Sequence, residues 1–378
     1  MRILTVNAGS TGVKLERYEL EAPLPPLAGP PDAGWEAHAP LDAADDLLAG
    51  ALREGDDAVA HRFVRLPEGA PPVLPLDDVA GDAIARAGAD APLHDAAALR
   101  AVSLVRRLRP RTPQLAVSDS AFHRTMSEAA TTYAVPRELT RRGLRRIGYH
   151  GLSHEYAAHR ACALAGLEIA RARVVTAHLG GGSSLCAIER GASVDTTMGY
   201  TPLEGLPMAT RSGSVDPGLL LHLLRGGVTP AELETMLERH SGLLGISGRS
   251  GDVRVLLRAS AAGDDDARLA LDVLSWRLRA GIGAMIGVLG GIDLLVFTGG
   301  IGENVPSIRA AGARGAASAG LRIDDRSNAA AANDARISDA RCGVQAHVVR
   351  AREGWQLARL AYRALGARRP AESRPAVS

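Results

Sequence analysis

Two stretches of the chain share one pattern of apolar and polar positions. Residues 2–20, RILTVNAGSTGVKLERYEL, and residues 173–191, RVVTAHLGGGSSLCAIERG, each run from a β-rich segment through a Gly/Ser turn into a second β-rich segment. Arg2, Thr5 and Gly9 match Arg173, Thr176 and Gly180 in order. Two such hairpins predict a duplicated domain, with turn glycines free to adopt positive φ. A third apolar run, Asp293–Thr298, leads into GGIGEN, where a buried strand would end on glycines that admit close backbone approach.

Between these strands the period becomes helical. Residues 94–108 and 353–365 read as amphipathic helices, and 264–290 as one long apolar helix or two. Thr229-Pro230-Ala231-Glu232 opens a helix over 229–240 with a capping box and Pro at the first helical position. Strands alternating with helices predict an α/β fold. Residues 21–44, rich in Pro, Ala and Asp, are expected to form an irregular excursion. The last residues, 367–378, show no pattern and are expected to be a disordered tail.

Composition narrows the function. With 378 residues the chain has room for roughly two domains of ~100–200 residues. Aromatics are only 3%, so the core must come from Ala, Val, Leu and Ile, and a base-stacking surface is not expected. The net charge is +2 without a long basic run, which gives no reason to expect a nucleic-acid partner. Met285–Phe297 is broken by glycines and Asp293, so no membrane span is expected. Three cysteines without CxxC spacing, and a strand-like start in place of a signal peptide, suggest a cytoplasmic protein. Lys14 is the only lysine; every other basic residue is arginine. Its place beside the first Gly/Ser turn points to a site.

Nine motifs follow in order: NAGSTGVK (7–14), HRFV (61–64), APLHD (91–95), SDSAFHRTM (118–126), GYHGLSH (148–154), HLGGGSS (178–184), MATRSGSVDP (208–217), SGRSGDVR (247–254) and FTGGIGEN (297–304). Together they resemble the acetate kinase family from Asn7 to about Arg359. The resemblance implies two duplicated actin-like ATPase (ribonuclease H-like) domains with a nucleotide cleft between them. It divides the chain into 1–119 completed by helix 354–366, and 120–353. It further implies ATP as co-substrate, Mg²⁺ or Mn²⁺, a homodimer, and phosphorylation of acetate to acetyl phosphate.

The chemistry suits these residue types. Phosphoryl transfer needs alignment, and donors or positive charge around oxygens that gain negative charge. A guanidinium can grip a carboxylate or phosphoryl oxygens bidentately; the family pattern puts Arg62 on the acid and Arg211 on the transition state. It gives Asp119 the acid/base position. Since carboxylic acids are already ionised at pH 7, Asp119 reads as positioning and electrostatic. His150, with His94 and His178, would donate hydrogen bonds to transferring oxygens. His123, His154 and His159 read as structural, and zinc is not expected at His150 and His154. Glycines at the first turn would let backbone N–H groups face a phosphate, with Lys14 near ATP and Asn7 near the metal. His178, Leu179, Gly180, Gly181 and Gly182 would wrap the phosphates. Asp252, Val253 and Arg254 match the adenosine-contacting segment, and Gly300, Ile301, Gly302, Glu303 and Asn304 the adenine pocket. Glu353 aligns with a metal-linked glutamate. Val64, Leu93, Tyr149 and Pro202 match the methyl pocket.

Departures from the family pattern lie around this set. Position 12 is Gly in place of Ser, and 181 is Gly in place of Asn. Arg65-Leu66-Pro67 replaces His-Gly-Gly, Tyr149 replaces Phe, and Ser214 replaces Asp. The tyrosine hydroxyl and the changed 65–67 segment admit propionate, butyrate or a hydroxy acid as substrate. The altered turns also admit a nucleotide-binding protein of this fold with little catalysis.

Overall fold

A computed structural model describes residues 1–9, 12–24, 27, 32–77, 84 and 92–366, except for the side chains of 92–95. The tail expected over 367–378 lies outside the described residues. The chain divides into two compact units: Met1–Ala121 with the chain from Arg352 onward, and Phe122–Ala351.

In the first unit, β1 (Arg2–Ala8), β2 (Val13–Glu19), β3 (Trp35–Ala39), β4 (Ala58–Phe63), β5 (Val73–Pro75) and β6 (Gln114–Ser118) form a sheet in the order β3-β2-β1-β4-β6-β5. The pairings across that order are antiparallel, antiparallel, parallel, parallel and antiparallel. In the second unit, β7 (Arg173–Leu179), β8 (Ser183–Glu189), β9 (Ala192–Thr196), β10 (Leu294–Thr298), β11 (Ala335–Arg336) and β12 (Gln345–Val348) run β9-β8-β7-β10-β12-β11. Their pairings repeat the same sequence of senses. The duplication read from two hairpins thus extends to every strand of both sheets.

Strand alternation assigns the faces. In β1, Leu4, Val6 and Ala8 join a core with Leu48 of helix Ala44–Ala51 and Val102 and Val105 of helix Pro92–Leu108. Ile3, Thr5 and Asn7 therefore face the other way, toward helix Glu353–Gly366, which packs on β1 and buries Trp355 against Tyr18. In β7, Val175, Ala177 and Leu179 join a core with Leu274, Leu278 and Ile282 of helix Asp265–Leu289. Thr176 and His178 face helix Gly151–Ala165. One helix thus covers the Thr5/Asn7 face in one unit and the equivalent Thr176/His178 face in the other.

Local signals explain several ends. Thr229 and Glu232 form the capping box ahead of helix Pro230–Arg239. The 264–290 pattern is one helix, capped by the Asp264 side chain and ended by Gly290 in the left-handed region. The irregular excursion expected over 21–44 needs correction: Trp35–Ala39 is β3, paired with β2. Its apolar positions Trp35, Ala37 and Ala39 are only half-buried, so pairing to a neighbour decides its state more than its own pattern does.

Two buried polar groups generate predictions. Arg17 Nε donates to Asp56 Oδ1 at 2.7 Å, and both side chains are almost fully enclosed, 6% and 1% exposed. Asp56→Ala leaves that guanidinium without its counter-charge, with an expected loss of about 3–5 kcal/mol in urea unfolding. His61 lies inside β4 against Gln114 Oε1 at 2.8 Å, and burial lowers its pKa to about 4. A folded pKa below the unfolded value means that the unfolded chain takes up this proton first. Stability is therefore expected to fall as pH drops from about 6.5 toward 4, by up to about 1.4 kcal/mol per pH unit from this residue. His61→Gln should flatten the slope of unfolding free energy against pH in that window, and an unchanged slope would refute the assignment.

Candidate active site

The predicted residues fall into two sets, one in each unit. In the first unit, β4 and β6 run parallel and end together, and Asp119 N donates to the Phe63 carbonyl at 2.8 Å. This brings Asp119, just beyond β6, to Arg62 in β4. Arg62 Nη2 donates to Asp119 Oδ2 at 2.7 Å, Arg62 Nη1 reaches the Ala8 carbonyl at 3.3 Å, and the Asp119 carboxylate is fully buried. The arginine expected to bind the acid and the candidate carboxylate are thus one buried ion pair. Val64 follows directly and is buried. Leu93 and His94 begin helix Pro92–Leu108, and their side chains lie outside the described residues.

Asn7 Nδ2 donates to Glu353 Oε2 at 2.5 Å, which unites the two predicted metal residues at the start of the last helix. Gly354 next to it has no room for a side chain, because a Cβ there would collide with the Glu16 carboxylate. Lys14 pairs with acidic neighbours of its own sheet. Its ammonium lies 3.0 Å from buried Glu16 and 3.5 Å from Glu36, so its charge is shared with two carboxylates of the sheet.

The first turn also corrects the reason for its glycines. Neither Gly9 nor Gly12 lies at positive φ, and the same is true of Gly180, Gly181 and Gly182. Crowding explains two of them. A Cβ on Gly12 would come 2.5 Å from the Ala39 carbonyl oxygen of β3, so the serine usual in the family has no place here. A Cβ on Gly182 would come 3.2 Å from Cε1 and Nε2 of His150 and 3.6 Å from Arg211 Nη1. At Gly181 a Cβ would meet nothing within 4 Å.

The second unit therefore gathers His150, Arg211 and His178 around the Gly180–Gly182 turn. His150 has φ 58, uncommon for a residue with a side chain, and it precedes helix Gly151–Ala165. Its ring stacks on His178 with centroids 4.3 Å apart. Ser153 Oγ lies 2.8 Å from His178 Nδ1. A Cβ on Gly180 would come 3.8 Å from His178 Nε2 and 3.9 Å from Gly300 N, which puts the predicted adenine segment beside the same turn. Arg211 Nε sits 3.6 Å from Glu238, with both side chains largely buried.

The remaining residues predicted to meet the nucleotide carry structural duties. Asp252 caps helix Val253–Ala261 and pairs with Arg254 at 2.6 Å; that guanidinium holds the Asp252 carboxyl down at about 2. Gly251 packs against Ala209, whose N–H reaches the Gly181 carbonyl at 3.4 Å. The 208–211 segment thus links the Asp252 segment to the glycine turn. Helix Gly299–Asn304 is held by buried Arg309, which donates to the Gly302 and Glu303 carbonyls. Glu303 Oε1 accepts from Ala351 N at 2.9 Å, and Asn304 Nδ2 donates to the Gly300 carbonyl at 2.9 Å. Ile301 is half-buried against the unit's apolar core.

Tyr149 and Pro202 are both buried, and the Tyr149 hydroxyl donates to the Tyr200 carbonyl at 2.5 Å. That bond engages the hydroxyl with the 197–205 loop. The loop is also gripped by Arg146, which bonds the Thr196, Thr197 and Met198 carbonyls and pairs with Glu204 at 2.7 Å. Ser184, which sequence did not single out, and His154, read as structural, lie directly behind His150. Ser184 is part of HLGGGSS, and His154 sits one helical turn after His150, a spacing that marks a shared helix face.

Comparison with known proteins agrees over most of the chain. A model of the acetokinase family matches residues 46–359. An acetate kinase of Gloeobacter violaceus is 39% identical over 401 residues, covering 95% of this chain and 98% of that one. By structure, the acetate kinase of Porphyromonas gingivalis superposes with a TM-score of 0.83 at 32% identity, covering 96% of this chain and 99% of its own. A propionate kinase from Francisella tularensis gives 0.82 at 31% identity, covering 94% and 98%. With the duplicated sheets, the His150–Gly182–Arg211 cluster and this breadth of match in view, the chain belongs to the acetokinase family.

Proposed function

We propose that the chain transfers the γ-phosphoryl group of ATP to acetate, giving acetyl phosphate and ADP, and runs the reverse reaction as well. The observation that carries this reading is the glycine turn of the second unit, where His150 and Arg211 come so near Gly182 that a Cβ there would crowd them and His178 stacks on His150. An acetate oxygen attacks the γ-phosphorus as the bond to the β-phosphate oxygen breaks. No proton must be removed, because acetate is already ionised. Arg62, preset by Asp119, holds the acid. Backbone N–H groups of Gly180–Gly182 bind phosphate oxygens, and His150 and Arg211 stabilise the charge that builds on the transferring group. Asp252–Arg254 and Gly300–Asn304 bind the nucleoside.

The Asn7–Glu353 pair suits a magnesium ion. Both residues offer oxygen donors, and among the described residues no group of three or more His, Cys, Asp or Glu forms a full cage. Magnesium is commonly held by one or two carboxylates together with substrate phosphates and water. When bound, the ion neutralises charge on the β- and γ-phosphate oxygens.

A homodimer fits the apolar side chains left on the second unit. Leu219, Leu221 and Leu224 on helix Pro217–Arg225, with Leu269 and Trp276 on helix Asp265–Leu289, are exposed, and a second copy would cover them. Among the described residues no helix is long and apolar enough to cross a membrane, which accords with a cytoplasmic setting.

Propionate is the second reading, favoured by the likeness to a propionate kinase. A hydroxy acid is less favoured, because the Tyr149 hydroxyl is engaged by the Tyr200 carbonyl. Purified protein with Mg²⁺-ATP and acetate, propionate or butyrate, with the acyl phosphate trapped by hydroxylamine, should give hydroxamate fastest from acetate. Faster turnover of another acid would reassign the substrate, and ATP binding without turnover of any acid would reject the kinase reading. Arg62→Ala should mainly raise KM for the acid. Arg211→Ala should mainly lower kcat, by roughly 100–1,000-fold if it acts as one transition-state donor. Negligible effects of both substitutions would defeat the site assignment.

A further inference from the structure

Behind His150 lies a row of hydrogen-bonding side chains that the transfer chemistry does not itself use. Ser184 Oγ in β8 is 2.9 Å from His150 Nδ1 and 2.8 Å from His154 Nε2. His154 Nδ1 is 2.7 Å from Thr176 Oγ1 in β7, and Thr176 Oγ1 is 3.5 Å from the Cys186 carbonyl oxygen. His154, Ser184 and Thr176 have no solvent exposure. Burial holds the His154 pKa well below its usual value, so its ring is neutral with one N–H.

Proton counting decides the direction of this row. Each hydroxyl has one proton to donate, and a neutral imidazole has one donor and one acceptor nitrogen. If His150 Nδ1–H donated to Ser184, the row would run inward, and the Thr176 proton would be left with the Cys186 carbonyl at 3.5 Å, the long limit for such a bond. If the row runs outward, Thr176 donates to His154 Nδ1, His154 Nε2–H donates to Ser184, and Ser184 donates to His150 Nδ1. Every proton then lies on a contact of 2.9 Å or less.

We propose that Thr176, His154 and Ser184 are positioning residues that fix His150 as its Nε2–H tautomer. The N–H then lies on the edge of the ring that faces the Gly182 turn, where a Cβ on Gly182 would come 3.2 Å from Nε2. His150 becomes a neutral donor whose direction is set before substrate arrives. The backbone agrees with this: at φ 58 His150 departs from the helix it precedes, so its ring orientation depends on partners such as Ser184 and the stacked His178. The proposal rests on the reading that His150 touches the transferring phosphoryl group.

The test measures kcat and KM in the hydroxylamine assay for Ser184→Ala, His154→Phe, His154→Gln and His150→Ala. Ser184→Ala and His154→Phe are expected to lower kcat roughly 10–100-fold, the scale for a misplaced catalytic group, with KM for ATP and acid within about twofold. His154→Gln carries an amide N–H in place of Nε2–H and should recover most of kcat. Equal loss in the Gln and Phe variants, or loss expressed mainly in KM, would overturn the relay in favour of simple packing. If Ser184→Ala does not fold, the Gln and Phe pair carries the comparison. A collapsed kcat in His150→Ala beside wild-type kcat in Ser184→Ala overturns the relay alone. Wild-type kcat in His150→Ala overturns the role of His150 and the relay with it.

Discussion

At the carboxyl ends of β7 and β10 the backbones come so close that a Cβ on Gly299 would lie 2.7 Å from the Leu179 carbonyl oxygen. Gly299 sits at φ +79, where only glycine is free of strain. From that point β10 turns into helix Gly299–Asn304 and β7 into the Gly180–Gly182 turn. The two segments stay adjacent, and the rings of His150 and His178 close over the same turn.

The two units use this scaffold unequally. Asn7 and His178 occupy matching places on β1 and β7, and each meets the N-terminal turn of the helix that covers its face: Asn7 meets Glu353, and His178 meets Ser153. Their register partners differ in charge. Asn7 pairs with Lys14 and His178 with Ser184. One unit therefore places an ammonium among carboxylates where the other places a neutral hydroxyl between two imidazoles. The duplication preserves geometry while each copy carries its own chemistry.

The parts legible in sequence were those in which several local signals coincide. The hairpins showed alternation together with turn glycines, and helix Pro230–Arg239 showed its capping box and its proline. What stayed hidden depends on distant neighbours. Trp35–Ala39 became a strand because β2 offered an edge, and Gly12 is required by a carbonyl 27 residues further along, at Ala39. The nearness of Lys14 to Glu36 stayed hidden because it lies across a strand pairing that sequence did not disclose. The Tyr149 hydroxyl looked available to substrate because its acceptor is the backbone of Tyr200, which no side-chain pattern can reveal. His154 read as structural; its contact with Ser184 required knowing that β8 passes behind that helix.

The order of segments in the first unit also bears on how the chain is made. Its sheet is complete by Ser118, but the helix that buries Trp355 against Tyr18 arrives only after the whole of Phe122–Ala351 has been synthesised. During translation the face of β1 that bears Ile3, Thr5 and Asn7 waits uncovered while the second unit has everything it needs to close. Domains generally fold as units as they emerge. By that rule the first unit cannot close until the segment from Arg352 onward has emerged, so its amino-terminal sheet stays covered on one face only while the later-encoded unit completes itself.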